Sequence, residues 1–163
     1  CFKVNFYSVQ TKCALPVVRV MWSKMRQIVL EILKGYNDIC IWGDGQNDSP
    51  WHIAWYCVRT LLEHATKVLL DLEVIDKRET GGNSTTMERE ALRRLLERLV
   101  IELPLGELCT DASSTIIKLV RDMKGRLCDF SEKPVMLYYC YCCCLFFISK
   151  FFLISHFILF TVA

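Results

Sequence analysis

The spacing of hydrophobic residues along the chain changes near residue 81, and this change limits the folds that the chain can adopt. Before that point, Val68, Leu70, Leu72 and Val74 alternate with residues of mixed polarity, which is the period of a half-buried strand. The preceding residues 52–62 are rich in aromatic and branched side chains, and a four-residue connection of hairpin length separates the two runs. Two adjacent antiparallel strands are therefore predicted.

After Gly81 and Gly82 the spacing of apolar residues becomes helical. Thr85 and Glu88 have the spacing of a capping box. One side of the following helix is apolar, with Met87, Ala91, Leu95 and Leu99, and Glu90 with Arg94 forms a favourable pair four residues apart. A short strand at residues 107–110 and a second helix from Ala112 complete this part of the chain.

The N-terminal part of the chain adds one helix and one strand. Residues 17–34 predict an amphipathic helix, and residues 38–43 predict a short strand that is covered on both faces. The apolar stripe of that helix comprises Val18, Met21, Met25, Ile28, Val29 and Ile32. The helical crossover after the hairpin returns the fourth strand parallel to the first, so an α/β fold with a mixed sheet is predicted.

An aspartate follows each of the two parallel strands. Asp44 comes after the first strand and Asp111 after the fourth, so the two carboxylates meet if these strands are neighbours. Close carboxylates repel unless a proton or a cation joins them, and oxygen ligands suit Mg²⁺ or Mn²⁺ in phosphoryl transfer. The alternative is that Asp44 shapes an Asp-Gly turn and Asp111 caps a helix.

Three ordered blocks resemble the first half of a DDE-type transposase catalytic domain, from a mobile-element-derived family with the ribonuclease-H-like fold. The blocks are GDGQNDSP at residues 43–50, the run from AWYCVRT to LLERL at residues 54–99, and ELCTDASSTIIKLV at residues 107–120. The resemblance covers residues 37–125. It implies a partial ribonuclease-H-like mixed sheet of order β-β-β-α-β-α, preceded by the amphipathic helix and followed by a hydrophobic tail.

The resemblance also implies a function and a site. Asp44 corresponds to the first catalytic acid and Asp111 to the second, both holding Mg²⁺ or Mn²⁺ for DNA strand cleavage and transfer in the nucleus. Asp48 either shapes the turn or joins the metal site, and Glu88 serves the helix cap. DNA is the implied partner, and nothing indicates a small-molecule substrate.

The family's third catalytic acid has no counterpart in this chain. Asp129 and Glu132 are the only acids downstream of the last predicted helix, and neither lies in a helix of the expected kind. Trp51 stands where the family has glycine in the turn, which indicates drift. We therefore expect a truncated domain with weak metal binding and little or no catalysis.

Charge and cysteine content add limited constraints. The formal net charge is +2, so the whole chain is not a polyanion binder by charge alone. The first 35 residues are basic, which suits either a solvated helix face or contact with nucleic acid. Ten cysteines without metal-site spacing indicate reduced, mostly buried thiols.

The C-terminal residues 135–163 are almost entirely apolar, interrupted by Lys150 and His156. One membrane span is physically possible, although Lys150 would cost about 3 kcal/mol on insertion scales. The alternatives are a buried core element and, as the favoured interpretation, non-homologous sequence. A membrane-anchored or scaffold protein is accordingly the alternative function, with a membrane as its location and partner.

The predicted organisation has three parts. They are an N-terminal amphipathic helical segment at residues 1–36, a partial transposase core at residues 37–128, and the non-homologous hydrophobic tail at residues 129–163. The chain begins at Cys1 without an initiator methionine or a signal-peptide pattern, which indicates a fragment or an incomplete product.

Overall fold

The computed structural model describes residues 2–50, 53–110 and 113–124, with backbone alone at residues 2–5 and at residue 124. The predictions for Asp111, for Asp129 and Glu132, and for the tail at residues 129–163 lie outside these residues. Within them, no helix is long and apolar enough to cross a membrane.

The N-terminal helices run in one direction with a π-helical turn between them. Helix α1 spans Phe2–Val9, the π-helical turn spans Gln10–Ala14, and α2 spans Leu15–Leu33. The predicted helix at residues 17–34 is thus confirmed. The face of α2 that packs on the rest of the protein carries Leu30 and Leu33, and of the apolar stripe only Val29 contacts the same core.

Five strands form one mixed sheet. They are β1 (Ile39–Trp42), β2 (Gly45–Asn47), β3 (Tyr56–Glu63), β4 (Leu69–Asp76) and β5 (Leu105–Cys109). Strand β3 pairs antiparallel with β4, β1 and β2, and β1 pairs parallel with β5. The predicted α/β class, the hairpin and the parallel return of the strand after the crossover are confirmed.

Strands β1 and β2 both pair with β3, and β2 continues the line of β1. Trp42 lies opposite Leu62 and Gly45 lies opposite Arg59, so the register along β3 is unchanged across the interruption at residues 43–44. The sequence predicted only a turn in this stretch, and β2 was missed because Gly45–Asn47 has no hydrophobic alternation to mark it. Asp44 therefore lies inside a broken strand.

Helix α3 (Met87–Glu102) is preceded by a 3₁₀ turn at Ser84–Thr86, and the predicted capping box is wrong. Asn83 caps that turn by accepting the Thr85 amide at 3.0 Å, and Thr86 precedes α3 without a side-chain cap bond. A capping box instead joins Asp76 and Glu79 around the 3₁₀ turn at Lys77–Thr80. Asn83 competes with Thr85 for the same local role, which the spacing alone did not resolve.

The main core lies between the sheet and three helices, which are α2, α3 and α4 (Ser114–Lys124). Its buried members from α3 and α4 are Leu92, Leu95, Leu96, Leu99, Ile116, Leu119, Val120 and Met123. Strand residues Ile39, Ile41, Leu61 and Leu108 meet them from the sheet. This packing fixes the relative position of β1, β5 and the start of α3, which carry the candidate site.

Four cysteines lie among the described residues, and all four are free thiols. Cys57 and Cys109 are buried and Cys40 is half-buried, as the sequence predicted. Cys13 is exposed on the π-helical turn, and a prediction of mostly buried thiols allows this exception.

Candidate functional site

The two strands that lead to the predicted aspartates are direct neighbours. Trp42 at the end of β1 pairs in parallel with Cys109 at the end of β5. Asp44 and Asp111 each follow two residues later in the sequence, although Asp111 itself is outside the described residues. The described part of the site consists of Asp44 and the groups around it.

Asp44 is exposed, and its backbone is held in the interrupted strand. Its carbonyl oxygen accepts the Thr60 amide at 3.3 Å, and its Oδ1 accepts the Gly45 amide at 2.8 Å. Both bonds come from neighbouring backbone, so the carboxyl group is held at a defined place on the sheet.

The backbone approaches its neighbouring strand most closely at Gly43. An ideal Cβ at this position would lie 1.9 Å from the Thr60 carbonyl oxygen and 2.9 Å from a Leu61 methyl group. Only glycine fits such an approach, because no side chain can share that space. Gly43 therefore sets where Asp44 leaves the strand.

Asp48 closes the hairpin between β2 and β3. Its Oδ1 accepts the Trp55 amide at 3.0 Å and the Tyr56 amide at 3.3 Å. Its own amide donates to the Tyr56 carbonyl oxygen at 3.1 Å. Of the two roles left open by the sequence, the geometry of Asp48 is that of a turn residue.

Glu88, in the first turn of α3, lies against Gly45, the residue after Asp44, instead of capping its helix. A Cβ at Gly45, the residue after Asp44, would lie 2.5 Å from Glu88 Cγ and 3.0 Å from Glu88 Oε1. Glu88 forms an ion pair with the guanidinium of Arg59 on β3. The sequence pattern assigned Glu88 to a helix cap, because the spacing of residues along a helix does not show which strand residue an acid in the first turn faces.

Arg59 is fully buried and connects three elements of the site. It donates to Glu88 on α3, to Thr110 Oγ1 after β5 at 2.7 Å, and to the Gly43 carbonyl oxygen at 3.4 Å. Its Nε has no hydrogen-bond partner among the described residues. Strand β3 is mainly apolar apart from Arg59, Thr60 and Glu63, and its arginine was the sequence signal that could have indicated this ion pair.

The acids also act on a thiol beneath them. Burial, together with the nearby carboxylates of Glu88, Asp44 and Asp48, raises the pKa of Cys57 to about 12, although the charge of Arg59 opposes the shift. Cys57 is therefore a protonated packing residue in the small cluster with Ala54, Ile75, Met87 and Ala91. It is not suited to act as a nucleophile or a metal ligand.

The described donor set fits a hard divalent cation only in part. Asp44 and Glu88 supply carboxylate oxygens, which Mg²⁺ and Mn²⁺ prefer. The positive charge of Arg59 beside Glu88 reduces the attraction for a cation. Within residues 2–50, 53–110 and 113–124, no group of three or more His, Cys, Asp or Glu side chains has metal-binding geometry.

Comparison with known proteins does not assign the chain to a family. No family model matches it, and no curated protein or solved structure matches it either. The resemblance to DDE-type transposases therefore remains a prediction from the three sequence blocks.

Proposed function

We propose that this chain is a remnant of a DNA transposase catalytic domain. Its ancestral activity is metal-dependent DNA strand cleavage and transfer, and the present chain has a weak divalent-cation site with little or no catalysis. The nucleus is the proposed location, and DNA is the proposed partner. The proposal combines the sequence resemblance with the geometry around Asp44.

The parallel pairing of β1 with β5 is the observation that supports this proposal most. With the chain order strand, strand, strand, helix, strand, β5 could pair at either edge of the sheet that the earlier strands form. Trp42 and Cys109 are instead partners, so the residues that follow them start from adjacent positions. Two acids on adjacent parallel strands suit a shared cation.

Each residue then has a separate role. Asp44 and Asp111 supply carboxylate oxygens to Mg²⁺ or Mn²⁺, which when bound activates a water or a 3′-hydroxyl and stabilises the leaving oxygen. Gly43 and the Gly45 amide fix the carboxyl group of Asp44. Arg59 holds Glu88 and Thr110 near this edge of the sheet. Asp48 maintains the adjacent hairpin turn.

Weak activity follows from the charge balance. Three carboxylates normally hold the two ions of such a site, and the sequence predicts no helix of the expected kind at Asp129 and Glu132, the only acids downstream of its last predicted helix. Glu88 already forms an ion pair with Arg59, which offsets its negative charge. Binding of a cation in the millimolar range and no measurable strand cleavage are the expected properties.

A noncatalytic scaffold is the second candidate, and one observation favours it. Asp44 and Asp48 both accept backbone amides of their own turns, as expected for residues whose role is structural. In that case the acids would not respond to a cation, and the function would lie in contacts made by other surfaces. Its membrane-anchored form would depend on residues 135–163, which lie outside the described part.

Titration of the full chain with Mn²⁺, followed by the decrease of the free-ion paramagnetic resonance signal, tests the proposal. Asp44→Asn and Asp111→Asn should each lower the affinity at least tenfold. Asp122→Asn, at an exposed position of α4, is the matched control and should leave it unchanged. If the folded parent chain does not bind Mn²⁺, or if all three variants bind alike, the site proposal is wrong.

Nicking of supercoiled DNA in Mg²⁺ tests the loss of catalysis separately. We expect no cleavage above the metal-only reaction. Mg²⁺-dependent nicking that disappears in Asp44→Asn would contradict the expected inactivity while supporting the ancestral assignment.

A further inference from the structure

Helix α2 has a long apolar stripe on the side away from the protein body. Five of its six members are exposed, and the sixth, Val29, is half-buried against the core; the exposed five are Val18 (46%), Met21 (56%), Met25 (56%), Ile28 (57%) and Ile32 (62%). A helix on the surface of a globular protein usually turns its apolar side inward. Here the inward side carries Leu30 and Leu33, and the stripe points outward.

Arg26 fixes this orientation of α2. Its guanidinium donates to Glu102 Oε1 at 3.1 Å and to Asp71 Oδ2 at 3.2 Å, on the side opposite the stripe. Asp71 is buried, and Arg98 also pairs with it at 3.1 Å. A rotation of α2 that buried the stripe against its own body would break these charged contacts and expose Leu30 and Leu33.

The spacing of the stripe is that of a coiled coil. Val18, Met21, Met25, Ile28 and Ile32 follow one another at intervals of three, four, three and four residues. These are consecutive a and d positions of a heptad repeat, which form a straight seam only against another helix. Scattered exposed apolar residues are ordinary, but a continuous heptad seam indicates a helical partner.

Charge complementarity identifies that partner as a second copy of the chain. In an antiparallel pair that brings Met25 of one copy level with Ile28 of the other, Met21 also comes level with Ile32. The g positions are Val17, Lys24 and Glu31, all exposed, and the last two carry charges. In this register each Lys24 lies within about 3 Å, along the helix axis, of the other copy's Glu31, so the symmetric pair contains two opposite-charge contacts.

A parallel pair does not have this complementarity. There each g position faces the e position five residues further along the second copy. Lys24 would then face the apolar Val29, and Glu31 would face Tyr36, beyond the end of α2. We therefore propose that the chain forms a two-fold symmetric dimer through an antiparallel pairing of its α2 helices, independently of whether the acidic site binds metal.

Charge reversal in the full chain tests this dimer. Sedimentation velocity across a range of protein concentrations should give a dimer for the parent chain. Lys24→Glu and Glu31→Lys should each weaken the dimer at least tenfold, because each creates two like-charge contacts. The double variant Lys24→Glu/Glu31→Lys should restore it. Lys24 and Glu31 are seven residues apart on one helix, so restoration would not arise from a contact within one copy.

Met25→Lys places a charge in the seam and should give a monomer, while Gln27→Lys adds the same charge at an exposed position away from the seam and should not. Far-ultraviolet circular dichroism should be the same for all variants, because the seam is outside the core. A monomeric parent chain, including one whose stripe is covered by its own C-terminal residues, would overturn the proposal. So would association that persists unchanged in Met25→Lys, or a double reversal that restores nothing.

Discussion

Arg59 in the middle of β3 donates a 2.7 Å hydrogen bond to Thr110, the residue that follows β5. Strand β1 lies between β3 and β5 in the sheet, and Arg59 also donates to the carbonyl oxygen of Gly43, the residue that follows β1. A buried charge is stable only when its partners are in place. The arginine therefore couples the position of three separate chain segments to one another.

Replacement of Arg59 by methionine should destabilise the fold by about 3 kcal/mol, because Glu88 and Thr110 lose a buried charged partner. Urea unfolding followed by circular dichroism measures the change. Arg89→Met, at an exposed position of α3, is the matched control and should change stability by less than about 0.5 kcal/mol. An equal effect of the two substitutions would show that the buried ion pair contributes no net stability.

Gly43→Ala should destabilise the protein by about 2 kcal/mol or more, because the added methyl group would overlap the Thr60 carbonyl oxygen. The comparison is Gly35→Ala, where the new Cβ would meet only the Ile32 carbonyl oxygen at 3.5 Å. Thermal unfolding of the two variants should therefore give a lower midpoint for Gly43→Ala alone. Equal midpoints would mean that the strands do not approach as closely as described.

Glu90 should make stability depend on pH in acid. Hydrogen bonds from Arg93 and then from Arg94 lower its pKa to about 2 from the ordinary 4.5. The contribution of Glu90 is therefore fully present above about pH 4.5 and is lost as the pH falls towards about 2. Because the group is partly exposed, we expect about 1 kcal/mol at neutral pH.

Urea midpoints of the parent chain and of Glu90→Gln, measured from pH 6 to pH 3, test this dependence. The difference between them should be largest at pH 6 and should shrink steadily below pH 4.5. A difference for Glu90→Gln that is constant with pH would show that its carboxylate charge is not what stabilises α3.

Cysteine reactivity should differ sharply between two described thiols. Cys13 is exposed, whereas Cys57 is buried with its pKa raised to about 12. Alkylation at pH 8 followed by peptide mass mapping should therefore modify Cys13 at least a hundred times faster than Cys57. In urea the two rates should converge. Fast modification of native Cys57 would show that the small cluster around it opens readily.

The sequence predicted the elements with strong periodicity and failed where structure depends on contacts between distant residues. The hairpin of β3 and β4, helix α3 and the parallel return of β5 were all predicted from period and topology. The pair of Glu90 and Arg94, joined at 2.9 Å, was predicted from spacing within one helix. The short strand β2 was missed because it is set by pairing with β3 and not by its own composition.

The candidate site was only partly predictable for the same reason. Asp44 was identified from its place after an apolar strand, and the parallel pairing at Trp42 and Cys109 agrees with the reasoning that led to it. Glu88 was assigned to a helix cap, since nothing local shows that it faces Arg59 across 29 residues of sequence. The outward direction of the α2 stripe likewise depends on Arg26 and its distant acidic partners.

Because β1 and β2 form one interrupted strand, the structure limits where insertions and deletions can occur in this protein. Side chains alternate between the two faces of a sheet, so one residue gained or lost within residues 43–44 would turn every later β2 side chain to the opposite face. The exposed connection at residues 34–37 has no such constraint, since it joins α2 to β1 outside the sheet. Insertions and deletions should therefore be tolerated at that connection and eliminated at the break.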